Sequence, residues 1–144
     1  MRLTKFTDFG LRALMILAGQ PGRSFTTEEI AGRAGVSRNH MVKIVGELAR
    51  AGFIKTRRGK GGGFMLARDA AAIRLGEVVR RLEAGSPLAE CFRADGGACR
   101  LTRSCGLKGH LAVASEAFFS ALDTVPLADI AYQLDESAVR EDRP

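Results

Sequence analysis

The chain has no tryptophan, a single tyrosine and only two histidines, His40 and His110. That leaves little for imidazole-based catalysis, and nothing supplies a cysteine nucleophile with a base and an orienting group. No Gly-x-Ser-x-Gly elbow, paired-carboxylate motif, GxxxxGK[ST] loop or dinucleotide-type glycine spacing is present. Long apolar runs are missing as well: no stretch approaches the roughly 18 apolar residues of a membrane span. The opening Met1 to Gly19 is partly apolar, but Asp8, Gly10 and Arg12 interrupt it and no small-residue cleavage site follows. Enzyme, membrane and secreted classes all fit poorly. The expected location is the cytoplasm.

Cysteine is scarce too, and what there is lies in one place. Cys91, Cys99 and Cys105 form C-x7-C-x5-C within a polar, glycine-rich stretch, and the rest of the chain has none. Three is odd, so intrachain disulfides cannot use them all. In a reducing compartment, clustered thiols indicate metal or redox chemistry. Soft thiolates converging on a point suit an iron–sulfur cluster or zinc, and either needs a fourth ligand from elsewhere. For zinc, His110 is the candidate. Reactive thiols without metal are the third reading.

Acidic charge is in deficit. The net charge is +6 and the sequence pI is near 9.8, which suits an anionic polymer. At 144 residues the chain is one domain of ordinary size, or a small domain with an added element.

The order of elements gives the charge a target. Leu11, Leu14, Met15 and Ala18 form the stripe of a first amphipathic helix, with Thr7 or Asp8 as its expected cap and Gly19 to Gly22 as its end. Thr26-x-x-Glu29 is a capping box opening a short helix to Ala34, and Gly35-Val36-Ser37 is a tight turn. Ser37 is placed to cap the next helix, whose apolar stripe is Met41, Ile44, Val45 and Leu48 and which Gly52 ends. This is a helix-turn-helix pattern. Phe53 to Arg57 and Phe64 to Ala67 read as strands of a hairpin around a glycine-rich turn, which makes the unit a winged helix. Leu75, Val78, Val79 and Leu82 repeat the helical stripe. Residues 85–105 have no sustained period and read as a loop. A long helix from Gly106 carries Leu107, Leu111, Ala114, Phe118 and Leu122, an apolar stripe suited to a helix–helix dimer. Thr124 to Leu134 reads as a short final helix.

The fold class is thus mainly α: a winged helix-turn-helix with a β-hairpin wing, a cysteine loop and a long C-terminal dimerisation helix. Its expected divisions are a DNA-binding unit over 1–83, a cysteine loop over 84–106, dimerisation and final helices over 107–135, and a flexible tail over 136–144.

Between Arg38 and Lys60 there are seven Lys or Arg and one acid, Glu47. On a helical projection with Arg38 at zero, the apolar residues fall between about 240° and 340° while Asn39, Lys43, Gly46 and Arg50 fall between about 80° and 140°. One face buries. The other offers an amide, two cations and a glycine, which is what a major groove requires. Arg38 and His40 flank that face within reach of phosphates. In the wing, Arg57, Arg58 and Lys60 precede Gly61-Gly62-Gly63, and arginine at a glycine-rich tip suits a narrow A·T-rich minor groove. The expected DNA contacts are Arg38, Asn39, His40, Lys43, Arg50, Arg57, Arg58 and Lys60.

The run Val36-Ser37-Arg38-Asn39-His40-Met41-Val42-Lys43-Ile44, then Arg58-Gly59-Lys60-Gly61-Gly62-Gly63, then three clustered cysteines, resembles the bacterial winged-helix iron–sulfur regulators, in the nitric-oxide-sensing NsrR branch. The opening Leu3-Thr4-Lys5-Phe6-Thr7-Asp8-Phe9-Gly10-Leu11-Arg12-Ala13-Leu14 matches as well, so the resemblance covers nearly the whole chain. It implies a homodimeric repressor on a palindromic, A·T-rich double-stranded operator, with nitric oxide as signal. It also implies an iron–sulfur cluster, [4Fe–4S] rather than [2Fe–2S], held by Cys91, Cys99 and Cys105. In that branch an aspartate near the N-terminus of the partner chain resembles a fourth ligand, and Asp8 holds that position. Helix capping would also account for an aspartate there. The IscR branch has a histidine three residues after the last cysteine, where this chain has Lys108. The first two cysteines are more widely spaced than is common in the family, with Asp95-Gly96-Gly97 as the insertion. A regulator of iron–sulfur homeostasis or redox state, or a zinc or thiol switch on the same scaffold, is the alternative function.

Overall fold

The computed structural model describes residues 2–135, so the expected tail over 136–144 lies outside the described residues. The first helix, α1 (Lys5–Ala18), begins earlier than its stripe suggested. Its cap is Thr4, whose hydroxyl accepts a hydrogen bond from the Thr7 N–H at 3.2 Å, and not Thr7 or Asp8. The reason lies far along the chain. Glu83 accepts hydrogen bonds from both the N–H and the hydroxyl of Thr4, each at 2.9 Å, and fixes that residue as the helix entry. Gly10, which broke the apolar run in the sequence, is a point of close approach: a Cβ there would stand 2.7 Å from a Leu82 methyl.

Helix α2 (Thr27–Ala34) carries the full capping box between Thr26 and Glu29, and Gly35 closes it at φ 69°. After this turn, α3 (Arg38–Arg50) starts at Ser37, whose hydroxyl accepts from the His40 N–H. Met41, Ile44 and Leu48 are buried, and Val45 packs at the core's edge. Gly52 lies just past the end with φ 80°, the left-handed position that glycine takes without steric cost.

The wing is an antiparallel pair, β1 (Ile54–Arg57) and β2 (Gly63–Leu66), with Ile54 opposite Leu66 and Arg57 opposite Gly63. Phe25 adds a bridge to Phe64 through two backbone hydrogen bonds of 2.9 and 2.8 Å, so the wing's base is anchored in front of α2. Gly63 permits this contact, because a Cβ there would stand 2.3 Å from the Phe25 carbonyl oxygen.

Helix α4 (Leu75–Leu82) buries Leu75, Val78, Val79 and Leu82, the four residues of its sequence stripe. The chain then runs through the cysteine segment, with short 3₁₀ turns at Glu90–Phe92 and Thr102–Ser104, into α5 (Gly106–Asp123). The expected final helix is instead a 3₁₀ turn, Leu127–Ile130, preceded by Pro126. Its backbone is held from outside: Leu127 donates to the Ile73 carbonyl at 2.8 Å, and the Tyr132 N–H donates to Met15 at 2.9 Å. The Leu127 side chain is wholly buried, part of the same core cluster as Leu14, Phe25, Ile30, Met41 and Ile73. Helix α5 is thereby tied back to the DNA-binding unit of its own chain.

Candidate nucleic-acid interface and cysteine segment

Helix α3 presents Arg38, Asn39, His40 and Lys43 to solvent, opposite its buried stripe. Gly46 leaves a gap on this face, since a Cβ there would meet only the Arg50 guanidinium at 3.9 Å. Arg50 itself is exposed but held by Glu47, the one acid of the basic segment. Glu47 is also gripped by Arg81 of α4 at 2.8 Å. Two guanidiniums therefore neutralise the carboxylate that would repel a phosphate backbone. Among the described residues Arg38, Lys43, Arg57, Arg58 and Lys60 have no such ion pair, and all five are exposed.

Val42 does not figure among the contacts expected from sequence. It is 47% exposed between Arg38 and Asn39 on the helical projection, on the open side of α3. Its position about 40° from Arg38, outside the apolar arc, was the available signal. An exposed valine there is suited to the methyl group of thymine.

In the wing turn, Gly59 and Gly61 have φ of 96° and 73°, and the Gly62 N–H donates to the Gly59 carbonyl at 2.9 Å. A Cβ on Gly62 would stand 2.4 Å from the Arg57 carbonyl oxygen. The glycines thus keep the tip narrow while Arg57, Arg58 and Lys60 project from it, exposed.

The three cysteines are free and half-buried. Cys91 lies in the first 3₁₀ turn, Cys99 in the loop, and Cys105 immediately before α5. The Arg93 guanidinium donates to both carboxylate oxygens of Asp95, at 3.0 and 2.7 Å, and Asp95 accepts from the Gly97 N–H at 3.0 Å. Those bonds, Arg93 first and the Gly97 amide second, hold the Asp95 carboxyl below the usual carboxylate range. Lys108 places its ammonium 5.7 Å from the centre of the Phe92 ring.

Among the described residues no group of three or more His, Cys, Asp or Glu stands close enough to hold a metal ion. The donor set nevertheless fits a thiophilic centre by its chemistry, being three uncommitted thiols on one segment. His110, the zinc candidate, is exposed on α5. Asp8 lies in the first turn of α1, not at its cap, and pairs with Arg12 through two hydrogen bonds of 3.1 and 2.7 Å. Arg12 also donates to the Ala34 carbonyl at 3.2 Å, joining α1 to the end of α2.

The family model of the Rrf2 proteins, described as iron-dependent transcriptional regulators, matches residues 3–133. The chain belongs to the Rrf2 family. Its members regulate transcription, and this Rrf2 protein is a DNA-binding transcriptional regulator rather than an enzyme. Among solved structures it is similar to IscR of T. potens, at 24% identity over 100% of this chain and 93% of that one, with a TM-score of 0.72. It is also similar to CymR (YrzC), the global cysteine regulator of B. subtilis, at 25% identity over 94% and 99% of the two chains, with a TM-score of 0.72. The oxidised form of Staphylococcus aureus CymR matches at 24% identity over 94% and 99%, with a TM-score of 0.71. No helix among the described residues is long and apolar enough to cross a membrane.

Proposed function

We propose that this Rrf2 regulator is a homodimeric repressor whose operator affinity is set by an iron–sulfur cluster on Cys91, Cys99 and Cys105, with nitric oxide as the signal. The observation that carries it is the position of Cys105, the third of three free thiols and the residue that opens α5. Helix α5 has no buried residue in one chain, and Leu107 and Val113 are 62% and 72% exposed. The two lie about 120° apart around α5, and a second copy is the natural cover for this exposed apolar surface. Arg80 and the returning Leu127 segment hold α5 to its own winged helix. A change at Cys105 therefore bears on the spacing of the two recognition helices, which must match half-sites about one helical turn apart.

When bound, such a cluster supplies an iron centre open to small diatomic ligands. The chain supplies the three soft donors, and Asp8 of the second copy is the fourth ligand by resemblance to the nitric-oxide branch. The basic face of α3 and the wing provide the grip on an A·T-rich palindrome. Only modest coupling is needed, because a hundredfold loss of affinity is about 2.7 kcal/mol.

The test is operator binding measured anaerobically for the loaded protein, before and after stoichiometric nitric oxide, with the metal-free protein alongside. A fall of about a hundredfold on treatment is the expected result. Equal affinity before and after overturns the nitric-oxide role. A response to oxygen or iron limitation alone assigns the protein to redox or iron–sulfur homeostasis. A colourless protein after anaerobic purification would favour a thiol or zinc switch, the second reading of the three free cysteines.

A further inference from the structure

The wide spacing between Cys91 and Cys99 is closed by contacts from Glu90, just before Cys91, to the end of the insertion and the residue after it. The Glu90 carboxylate accepts a hydrogen bond from the Ala98 N–H at 2.9 Å. Gly97 lies against the Glu90 carbonyl so closely that a Cβ there would stand 2.4 Å from the oxygen, and its φ is 61°. Between these ends, Arg93 and Asp95 hold the turn, and Gly96 at φ 80° lets it reverse. Cys91 and Cys99 are each the next residue after one side of the Glu90–Ala98 contact. The Glu90–Ala98 contact closes a loop, with Cys91 the first residue inside it and Cys99 the first residue beyond it.

Cys105 is held differently. Thr102 donates to the Cys99 carbonyl through its hydroxyl at 3.0 Å, and the 3₁₀ turn Thr102–Ser104 follows. Among the described residues no hydrogen bond joins residues 100–105 to the closed loop at 90–98. Helix α5 reaches back to the closed loop through Lys108 over Phe92, a long side chain that tethers without fixing.

We infer that the insertion is a clamp that pairs Cys91 with Cys99 as a two-thiol site for a thiophilic centre before any metal is bound, leaving Cys105 to be recruited separately. This rests on reading the three cysteines as one ligand set. It makes the incoming third ligand, and not the first two, the one that moves α5. Sequence separation alone argues the opposite order. Cys99 and Cys105 are six apart and Cys91 and Cys99 eight apart, and closure cost rises with length. An unconstrained loop would favour Cys99 with Cys105, so the ranking of pairs reports on the clamp.

Phenylarsine oxide is the probe. Two thiols condense with it to give two As–S bonds, and the oxide leaves as water with both thiol protons, without change of oxidation state. The metal-free full chain is used in three variants, Cys105→Ser, Cys99→Ser and Cys91→Ser, each retaining one pair, with circular dichroism to verify folding. The Cys91/Cys99 pair left in Cys105→Ser should bind about tenfold tighter than either other pair, as a preorganised pair does. Adding Gly97→Ala or Glu90→Ala to Cys105→Ser should remove that advantage, whereas the same change added to Cys99→Ser or Cys91→Ser should leave binding unchanged. Equal binding by the three pairs, or tightest binding by Cys91 with Cys105, overturns the clamp. If the preference is found but the wild-type chain takes up no iron and sulfide, the clamp stands and the cluster reading falls. If the cluster assembles without the preference, the clamp alone falls.

Discussion

Arg80 of α4 grips Asp123 at the end of α5, one guanidinium nitrogen lying 2.7 and 2.8 Å from the two carboxylate oxygens. Its other terminal nitrogen donates to Glu116 at 3.0 Å, and the guanidinium lies 5.0 Å from the centre of the Phe119 ring. A single side chain on α4 thus meets three residues of α5. This joint links the element that opens the cysteine segment to the helix that the proposed second copy would cover.

The joint has an acid-side dependence whose sign is fixed. Hydrogen bonding by Arg80, reinforced by its charge and opposed by desolvation, holds the Asp123 carboxyl below its usual value. A carboxyl lowered on folding stabilises the fold above its unfolded value, and that contribution fades as pH falls through the lowered folded value. Urea midpoints followed from about pH 6 to about pH 2 should therefore fall less steeply for Asp123→Asn than for the wild type. Parallel curves would show that the pair does not contribute.

Two glycines on neighbouring helices should respond to alanine in opposite ways. A Cβ on Gly76 would stand 1.9 Å from an Asp123 carboxylate oxygen and 2.7 Å from the Phe119 carbonyl oxygen. Gly76→Ala should wedge α4 from α5 and destabilise the chain by about 1–3 kcal/mol. Gly46 has room for a methyl group, so Gly46→Ala should raise stability by up to about 1 kcal/mol through helix propensity. The same methyl group fills the gap on the exposed face of α3, so operator affinity should fall while stability rises. Denaturation and DNA titration on the same two variants check both directions.

Salt dependence separates phosphate contacts from base contacts. Lys43→Ala with Arg57→Ala should lower the slope of log affinity against log salt by about 0.9 for each phosphate that the variant leaves unneutralised. Val42→Ala should keep the wild-type slope and weaken discrimination at a thymine position. If the double variant binds the operator as the wild type does, neither cation touches the DNA.

Where the determinants are local, the sequence was sufficient. The Thr26–Glu29 box, the Ser37 cap and the α3 stripe each span a few residues, so their spacing encodes them. The start of α1 is not legible there, because its cap is secured by Glu83, 79 residues away, which no periodicity reveals. The long-range partners of Phe25 and Leu127 were invisible for the same reason, and each depends on backbone pairing between distant segments. In the candidate site, residue types were legible and their states were not. Arg50 reads as a free cation in sequence, but Glu47 holds it and is shared with Arg81. The insertion before Cys99 shows in the sequence only as wider spacing, whereas Asp95 and Glu90 fold it into a closed turn.

Asp8 is the residue at which a ligand role and a structural role can be told apart most cleanly. Its ion pair with Arg12 is exposed on both sides, at 46% and 47%, so solvent screens it and it contributes at most about 1 kcal/mol. It is not the helix cap, because Thr4 holds that position. Asp8→Ala should therefore leave the thermal stability of the metal-free chain almost unchanged. If Asp8 is the fourth ligand, the loaded protein should still form its cluster on three thiolates but lose visible absorbance faster in air or with a chelator. A hard carboxylate is the weakest member of such a set. Each Cys→Ser variant should instead abolish the absorbance. The informative control is Arg12→Ala, which breaks the same ion pair and keeps the carboxylate. A cluster as labile in Arg12→Ala as in Asp8→Ala would assign the effect to the contacts that Arg12 makes, its ion pair and its bond to the Ala34 carbonyl together. Lability confined to Asp8→Ala would assign it to the carboxylate as ligand.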